Sequence, residues 1–481
     1  MENKITIEAN RKKDWNKNMK KIGIVITDGV GYRNFILSNF MAEAKLQFDS
    51  VVLFSCLPKN VYDTLDLKCT IVELDVFNEY FFTWFFRKAK EVSHLQLHTK
   101  GNFGITDNLK ASKTKARNPR GFATRFIHVW SRIIHSEKWI QRYNRYQQKT
   151  FSSHQITKKY TALLLEHGVS NLFFTHQRPP FIAPLIYAAS QLQIKTGSFI
   201  FSWDNLASKG RMAGDFDYYL VWSELMKKEL LQFYSAVQAE NVVVVGTPQF
   251  EPYVLDRYAS DKERFYAAFN LDIRKKTICF SCGDIATSKN DELYIETICK
   301  ARLEKKIPDV NLIVRTSPAE DPIRFKSLVD KYPFIKWNYP KWIQSRENHQ
   351  EAWSQRIPTI ADVKDLRSLL EFADININML STMSLDFMQF DKPVINPVFG
   401  NGKNGLYDDQ RFLKYAHIVN VAKSGATRIV KNEQALIDAI NLYYLYPETD
   451  QLNREKLIQL QVSKPLEGTS KRIVAALFEW T

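Results

Sequence analysis

Polar residues stand directly after several apolar runs, and the first such group follows KIGIVIT near the start of the chain. Asp28 comes after this run, and Gly29 and Gly31 come after Asp28. A carboxylate at the end of a strand can accept a proton from a bound hydroxyl, and glycines let a ligand approach the backbone. A tight turn in which the aspartate caps a helix is the structural alternative. We therefore take Asp28 as the first candidate general base, and Gly29 and Gly31 as candidate acceptor contacts.

A second polar group follows the run NLFFT. His176 is the second candidate for the base, and Arg178 is a candidate acceptor contact. A lone histidine is more often a hydrogen-bonded structural residue, so that role stays open. The next run, KTGSFIF, leads into SWDNLASKG, where helix capping is the competing explanation for the polar residues. Three residues of this segment are further candidate acceptor contacts: Trp203, Asp204 and Asn205.

Two turns in the second half of the chain suit a diphosphate. Gly283 follows the run TICFS among hydroxyl side chains, and a glycine there lets a phosphate or a sugar pass close to the backbone. Arg315 ends the run NLIVR and can pair with a diphosphate through two parallel hydrogen bonds. A surface ion pair is the alternative for this arginine. Both residues are predicted to bind the donor.

The most informative stretch is DININMLSTMSLDFMQFDKPVI. It predicts a strand followed by hydroxyl residues at the start of a helix, where unpaired backbone N–H groups favour a phosphate. An acidic residue one turn into the helix can accept hydrogen bonds from ribose hydroxyls. A plain capped helix is the alternative. The candidate donor contacts here are Ser381, Thr382, Ser384 and Asp386.

The elements that must position these residues are short apolar runs alternating with helical stretches. Most of the runs lack polar alternation, which is typical of parallel strands covered on both faces. Ligands of such sheets bind beyond the carboxyl ends of the strands, where the candidate residues stand. The sequence predicts an α/β protein with two doubly wound, Rossmann-like domains. The predicted limits are a flexible leader 1–20, an N-terminal domain 21–250 with a basic insertion 101–150, a linker 251–270, a C-terminal domain 271–430, and C-terminal helices 431–481.

Composition and charge narrow the class of protein. The chain has 481 residues, of which 45% are apolar, and this excludes intrinsic disorder for most of it. Its net charge of +15 favours a polyanionic or membrane-surface partner. Residues 101–150 hold 11 Lys or Arg against Asp107 and Glu137. Their second half is a candidate basic amphipathic helix, with a solvated connecting helix as the alternative.

Compartment and metal content follow from the cysteines and the apolar runs. Five scattered cysteines fit a reducing compartment, and the chain has neither a membrane-spanning apolar run nor a secretory signal, so we expect a cytoplasmic protein. Cys279 and Cys282 form a C-x-x-C, but no second Cys or His pair lies at zinc-ligand spacing. Packing explains them better, and no metal or other cofactor is expected.

The stretch STMSLDFMQFDKPVI resembles GT-B-fold glycosyltransferases, in which a hydroxyl-rich turn precedes an acidic residue and a strand that begins with proline. The resemblance implies that the two domains face each other across a cleft, with 21–250 as the acceptor domain and 271–430 as the nucleotide-sugar domain. It also implies that Asp386 contacts the donor ribose and that Ser381, Thr382 and Ser384 contact the diphosphate. SWDNLASKGRM, DYYLVWSELMKKEL and VVVVGTPQFEPY are similar to the N-terminal domain of glycosyltransferases of bacterial surface-polysaccharide biosynthesis (capsule, lipopolysaccharide or exopolysaccharide). These are distantly similar to capsule polymerases and CDP-glycerol glycerophosphotransferases. The resemblance implies a cytoplasmic enzyme, peripheral at the inner membrane face, that acts on a lipid-linked acceptor.

Taken together, the residues and the resemblance predict a metal-independent glycosyltransferase. It would move a sugar from a nucleoside-diphosphate sugar to a hydroxyl of a lipid-linked or growing surface glycan. The basic segment 110–149 is expected to contact an anionic membrane surface, and no nucleic acid is expected. Two alternatives stay open: a nucleotide-sugar epimerase of similar twin-domain fold, and a non-catalytic nucleic-acid-binding protein that uses the basic stretch.

Overall fold

Two parallel sheets organise the chain. The computed structural model describes residues 19–349, 351–402 and 408–481. The predicted leader, residues 1–20, lies outside this part of the chain except for Met19 and Lys20. The chain divides into two compact units, each built around one sheet. The predicted fold class, with two Rossmann-like α/β domains, is confirmed.

The first unit comprises Met1–Glu251, Gln344–Ile357 and Glu467–Thr481. Its seven strands are all parallel, in the order β3-β2-β1-β4-β5-β6-β7. Its strands are Lys21–Ile26 (β1), Ser50–Ser55 (β2), Thr70–Glu73 (β3), Asn171–Phe174 (β4), Lys195–Phe199 (β5), Tyr218–Val221 (β6) and Val242–Val244 (β7). Its helices before residue 252 are Gly29–Gly31 (α1), Phe40–Gln47 (α2), Phe81–Leu97 (α3), Phe103–Ala111 (α4), Pro119–Trp130 (α5), Glu137–Phe151 (α6), Gln155–His167 (α7), Ala183–Gln191 (α8), Asn205–Ser208 (α9) and Glu224–Phe233 (α10).

The second unit comprises Pro252–Ile343 and Pro358–Leu466. Its sheet has the order β10-β9-β8-β13-β14-β15 and is also parallel. The strands from residue 252 onward are Thr277–Ser281 (β8), Asn311–Arg315 (β9), Lys336–Asn338 (β10), Trp342–Gln344 (β11), Arg356–Pro358 (β12), Ile375–Ile377 (β13), Val394–Pro397 (β14) and Arg428–Val430 (β15). The helices are Lys262–Ala268 (α11), Asp291–Leu303 (α12), Lys326–Lys331 (α13), Ile360–Phe372 (α14), Met383–Met388 (α15), Ala416–Ser424 (α16), Glu433–Leu445 (α17) and Gln451–Val462 (α18), followed in the first unit by Thr469–Glu479 (α19).

The units are less contiguous in sequence than the predicted domain limits. Residues 344–357 leave the second unit and join the first, and so does the end of the chain from Glu467. The predicted linker 251–270 contains helix α11. The final helix joins the first unit because its apolar face packs there: Trp480 stacks on Tyr218 with ring centroids 4.5 Å apart.

The basic insertion 101–150 forms three helices, α4, α5 and α6. Its second half is therefore two helices rather than one. Asn118 caps the start of α5, because its side chain accepts a hydrogen bond from the Gly121 amide at 2.8 Å. Pro119 at the first helical position fits this start, because its missing N–H would be unpaired there anyway.

A buried carboxylate attaches the end of the chain to the first unit. Glu251 accepts hydrogen bonds from the Ser470 amide at 2.9 Å and the Asn39 amide at 3.2 Å, and also from the Ser470 hydroxyl. We expect Glu251→Ala to leave these buried donors unpaired and to cost about 3 kcal/mol. Hydrogen exchange should then accelerate in residues 467–481. The exposed Glu240→Ala is the control, and unchanged exchange in both variants would contradict this role.

Candidate functional site

The two candidate bases of the first unit are hydrogen-bonded to each other. Strands β1 and β4 are neighbours, with Val25 opposite Phe174, so the residues that follow both strands emerge side by side. The Nδ1 atom of His176 lies 2.8 Å from the Oδ2 atom of Asp28. The pair is buried, with Asp28 fully enclosed and His176 4% exposed.

Asp28 is saturated with donors. Its Oδ1 accepts from the amides of Val30 and Gly31 at 3.0 and 2.8 Å, and its Oδ2 accepts from the Thr27 hydroxyl at 3.0 Å. Burial raises the pKa of Asp28, but its hydrogen bonds, the one with His176 foremost, outweigh this, and the pKa lies below its ordinary value. A carboxylate enclosed by these donors is placed to orient His176, and the role of Asp28 as general base stays a prediction.

Of the two residues, His176 is the one that keeps a polar atom without a partner in the described chain. Because Asp28 is ionised, Nδ1 carries the shared hydrogen and Nε2 keeps its lone pair. Nε2 has no hydrogen-bond partner among the described residues. Burial lowers the pKa of His176, and Asp28 only partly opposes this, so the imidazole is neutral at pH 7. Its ring stacks on Phe201 with centroids 3.8 Å apart, which fixes its plane.

The candidate residues beside Asp28 and His176 differ in how closely other protein atoms approach them. A Cβ on Gly29 would lie 1.6 Å from the Arg356 carbonyl oxygen, and one on Gly31 would lie 2.6 Å from the Thr175 hydroxyl. These glycines are thus approached by protein atoms, which explains them without an acceptor. Arg178 is half-buried, and its Nε has no partner among the described residues. It is the acceptor candidate that this geometry favours.

The segment that follows β5 holds the residues around His176 in place. Asn205 is buried and its Oδ1 accepts a hydrogen bond from Gln177 at 3.1 Å, while Trp203 is 5% exposed. Asp204 accepts from the Asn205 amide group and pairs with Lys209 at 3.5 Å. Gln177 in turn accepts from the Phe201 amide at 3.1 Å, which holds the ring under His176. These contacts favour a positioning role over the predicted acceptor contact.

Two residues near His176 escape sequence reasoning because they come from residues 344–357. Trp353 places its ring 6.5 Å from that of His176. Burial raises the pKa of Glu351 to about 7, and the negative charge of Asp28 adds to the shift, while Arg87 and Arg178 oppose it. No motif marks either residue, and nothing in the local sequence places this segment in the first unit.

In the second unit, hydrogen bonds to Gly283 hold the turn after β8 in place. The Gly283 amide donates to Asp291 at 2.9 Å, and its carbonyl accepts from Arg324 at 2.9 Å. Burial raises the pKa of Asp291 to about 7. A Cβ on Gly283 would lie 2.7 Å from the Ser288 Cβ, so close packing accounts for the glycine. Its contact with a donor stays a prediction.

Arg315 is engaged within the protein. It is buried, and its guanidinium pairs with both carboxylate oxygens of Asp362 at 2.9 and 3.1 Å and with the Asn338 side chain. Asp362 also accepts from the Trp342 indole at 2.8 Å. Nη2 contacts both carboxylate oxygens and Nη1 donates to Asn338, so both terminal nitrogens of the guanidinium are engaged within the protein. The alternative of an ion pair describes Arg315, except that the pair is in the interior and not on the surface.

In the turn after β13, buried asparagine side chains form most of the hydrogen bonds. The Asn378 Oδ1 accepts from the Ser381 amide at 2.8 Å, and the Ser384 hydroxyl contacts Asn378 and Asn396 at 3.1 to 3.2 Å. Asp386 is buried and accepts from the Tyr253 hydroxyl. Ser384 and Asp386 thus have structural partners in place of the predicted donor contacts. Of the predicted donor residues here, Ser381 and Thr382 are the half-exposed ones.

The described part of the chain contains no group of three His, Cys, Asp or Glu side chains arranged to hold a metal ion. Independence from metal stays a prediction. None of its helices combines the length and apolar character that crossing a membrane requires.

Comparison with solved structures shows the class of fold. No protein-family model matches the chain, and no curated protein sequence matches it. UDP-GlcNAc 2-epimerase from Neisseria meningitidis, solved with UDP-GlcNAc, matches with a TM-score of 0.52 at 12% identity over 96% of this chain and 100% of that one. The UDP-GlcNAc 2-epimerase of Methanocaldococcus jannaschii gives 0.51 at 12% identity, over 96% and 100%.

A glycosyltransferase from Rickettsia africae is equally similar, with a TM-score of 0.51 at 12% identity over 96% of this chain and 98% of that one. At this identity, the likeness concerns the fold. The chain has a GT-B-type fold, which it shares with epimerases and with a glycosyltransferase.

The Asp28–His176 pair predicts a specific titration. We expect the His176 imidazole to titrate below the ordinary histidine pKa, and Asp28→Asn to lower that pKa further, because the opposing carboxylate charge is lost. Histidine-selective ¹³C NMR would measure this, with the His176→Gln spectrum identifying the signal. A pKa above the ordinary value, or one raised by Asp28→Asn, would contradict the arrangement.

The Arg315–Asp362 pair predicts a loss of stability. Removing one partner of a buried ion pair leaves an uncompensated charge, so Arg315→Ala should lower the free energy of unfolding of the second unit by about 3–5 kcal/mol. The exposed Arg264→Ala should change it by less than about 1 kcal/mol. Denaturant unfolding of both variants tests this. Unchanged stability with lost nucleotide affinity would instead support the predicted diphosphate contact.

Proposed function

We propose that this chain is a glycosyltransferase that moves a sugar from a nucleoside-diphosphate sugar to a hydroxyl of a lipid-linked or surface glycan. The observation that carries the proposal is the neutral, buried His176, whose Nε2 is unpaired within the described chain and whose Nδ1 is held by Asp28. This is the arrangement of a general base with an orienting carboxylate. The roles of the two predicted catalytic residues thus exchange: His176 is the base and Asp28 positions it.

The transfer step uses this base directly. Nε2 of His176 takes the proton of the acceptor hydroxyl as its oxygen attacks the anomeric carbon of the sugar. The bond from that carbon to the diphosphate breaks, and the nucleoside diphosphate leaves with the electron pair. Asp28 stabilises the imidazolium that forms. A base in this position corresponds to inversion at the anomeric carbon.

Binding of the two substrates rests on fewer residues than the sequence predicts. For the donor, Ser381 and Thr382 at the carboxyl end of β13 are the half-exposed candidates, since Arg315 and Asp386 are engaged within the protein. For the acceptor, Arg178 offers a guanidinium two residues from the base, which suits an anionic group such as the phosphate of a lipid carrier. The structure of the Neisseria protein was solved with UDP-GlcNAc, which supports a nucleotide sugar as the donor here.

Epimerisation of a nucleotide sugar is the second candidate. Two of the solved structures described above are UDP-GlcNAc 2-epimerases. The site also holds a second group able to exchange a proton near pH 7, because the pKa of Glu351 is raised to about 7. An epimerase needs one group to remove a proton from carbon and one to return it. The nucleic-acid-binding alternative has no such observation in its favour.

One experiment separates these two reactions. The protein is incubated with UDP-GlcNAc in D₂O without any acceptor, and the sugar is followed by NMR. A transferase leaves the sugar intact apart from slow hydrolysis, whereas a 2-epimerase produces the 2-epimer with deuterium at C2. Formation of that epimer would replace the transferase proposal by the epimerase one.

The same proposal predicts distinct effects on binding and turnover. Thermal shifts with UDP, GDP, CDP, CMP and TDP should show one stabilising nucleotide, by about 2.7 kcal/mol at a hundred times its Kd. His176→Ala should keep that shift and lower turnover by about 10²–10⁴-fold. His167→Ala, in helix α7 of the same unit, is the matched control and should keep both. Full turnover in His176→Ala would end the assignment of the base.

A further inference from the structure

Helix α5 carries a row of apolar side chains that face away from the protein. Phe122, Phe126, Val129, Trp130 and Ile133 follow the i, i+4, i+7 spacing of one helical face, continued into the turn after Trp130. Ile133 is 83% exposed, Val129 61% and Phe122 59%. Phe126 and Trp130 stack on each other with centroids 5.9 Å apart. We call these five residues the α5 stripe.

The stripe is presented by a fixed scaffold. The opposite side of α5 is buried through Gly121, Thr124, Ile127 and His128. The Trp130 indole donates to the Tyr143 hydroxyl of α6 at 3.1 Å, which attaches the carboxyl end of the helix. The stripe is therefore not an unpacked segment that could turn inward.

A second exposed aromatic group lies at the start of α3. Phe82 is 67% exposed, Tyr80 64% and Phe81 39%. Arg120, at the beginning of α5, donates to the Glu79 carbonyl at 3.2 Å and lies over the Trp84 ring at 5.3 Å. This arginine joins the two helix starts, so the aromatic group of α3 lies beside the amino end of α5.

Cations surround the apolar residues. Residues 101–150 have a net charge of +9. Arg125 lies over the ring of the stripe residue Phe122 at 4.5 Å. Lys113, Lys115, Arg117 and Arg132 are exposed, and no ion pair within the described chain involves them. Because these charges are not neutralised locally, they remain available to an anionic surface.

We propose that the α5 stripe, together with Tyr80, Phe81 and Phe82, is a docking surface for an anionic lipid membrane. Aromatic and aliphatic side chains would enter the boundary between headgroups and acyl chains, while the surrounding Lys and Arg pair with lipid phosphates. In this arrangement the protein lies on the membrane surface, with the α5 stripe facing the lipid. The proposal stands on exposure and charge alone and does not depend on the reaction that the protein catalyses.

Charge and chemistry favour lipid over the other occupants of such a face. A second copy of the chain would bring the same +9 segment against itself, which opposes pairing. Single-stranded nucleic acid is bound by aromatic rings that stack on bases. Here two of the most exposed stripe residues are aliphatic, Val129 and Ile133, and these have no base to stack on but can enter an acyl region.

The test is co-sedimentation of the full chain with vesicles of phosphatidylcholine, alone or with phosphatidylglycerol. Binding is expected only with phosphatidylglycerol and should weaken as salt is added. The apolar variant is Phe122→Ser, Phe126→Ser and Ile133→Ser. The charge variant is Lys113→Gln, Lys115→Gln, Arg117→Gln and Arg132→Gln. Each should weaken partitioning, the charge variant by about a thousandfold.

The matched controls carry apolar-to-serine and cation-to-glutamine substitutions at other exposed positions. The apolar control is Leu165→Ser, Leu303→Ser and Leu452→Ser, all exposed. The charge control is Lys423→Gln, Lys431→Gln, Lys456→Gln and Lys471→Gln, also exposed. Both should bind vesicles like the unaltered chain, and melting temperatures establish that every variant is folded.

Three outcomes would overturn the proposal. The first is no binding to anionic vesicles, and the second is binding that neither variant weakens. The third is a different occupant: self-association abolished by the apolar variant would assign the face to a second copy, and oligonucleotide binding abolished by the charge variant would assign it to nucleic acid.

Discussion

The parallel pairing of β1 with β4 is the constraint on which the first unit depends. It brings together two turns that are 148 residues apart, Thr27–Asp28 and Thr175–His176. The Thr175 hydroxyl links them further, because it donates to the Val25 carbonyl at 2.9 Å and lies 3.3 Å from the Thr27 amide. A buried carboxylate is costly without donors, and this junction supplies them from four groups. This arrangement leaves the ring hydrogen of His176 on Nδ1 and the lone pair on Nε2.

The second unit repeats the architecture but uses its polar strand ends differently. Its most conspicuous side chains bind one another: Arg315 to Asp362, Ser384 to Asn378 and Asn396, and Asp386 to Tyr253. Such interior networks make a rigid edge to the sheet. In the first unit, Nε2 of His176 and Nε of Arg178 are left without partners within the described residues, and both residues belong to the turn that follows β4.

The basic insertion gives the first unit a surface with a different character. Its helices α4, α5 and α6 are positioned by packing against α3, while its apolar stripe and its cations point to solvent. A protein surface in water gains nothing from exposing several large aromatic residues in a row. The combination of exposed rings with unneutralised Lys and Arg is the observation on which the proposed anionic lipid surface rests.

Much of the fold is readable from the sequence alone. Apolar runs without polar alternation determine the buried strands, and β1, β4, β8 and β9 form where these runs lie. The same pattern brings Asp28 and His176 to the ends of strands, because the direction of a strand fixes which residues follow it. The short strand β15, Arg428–Val430, carries no comparable run and is missed.

The tertiary structure alone decides which candidate residues are available for chemistry. Whether Arg315 meets a diphosphate or a carboxylate depends on Asp362, which is 47 residues away and marked by no motif. The proposed exchange of roles between Asp28 and His176 rests on packing, because only packing shows which of them is enclosed by donors. Trp353 and Glu351 reach the first unit through a segment whose neighbours in sequence belong to the second. Strand patterns are local in sequence, whereas hydrogen-bond partners and burial are set by contacts between distant residues, and a single sequence does not contain them explicitly.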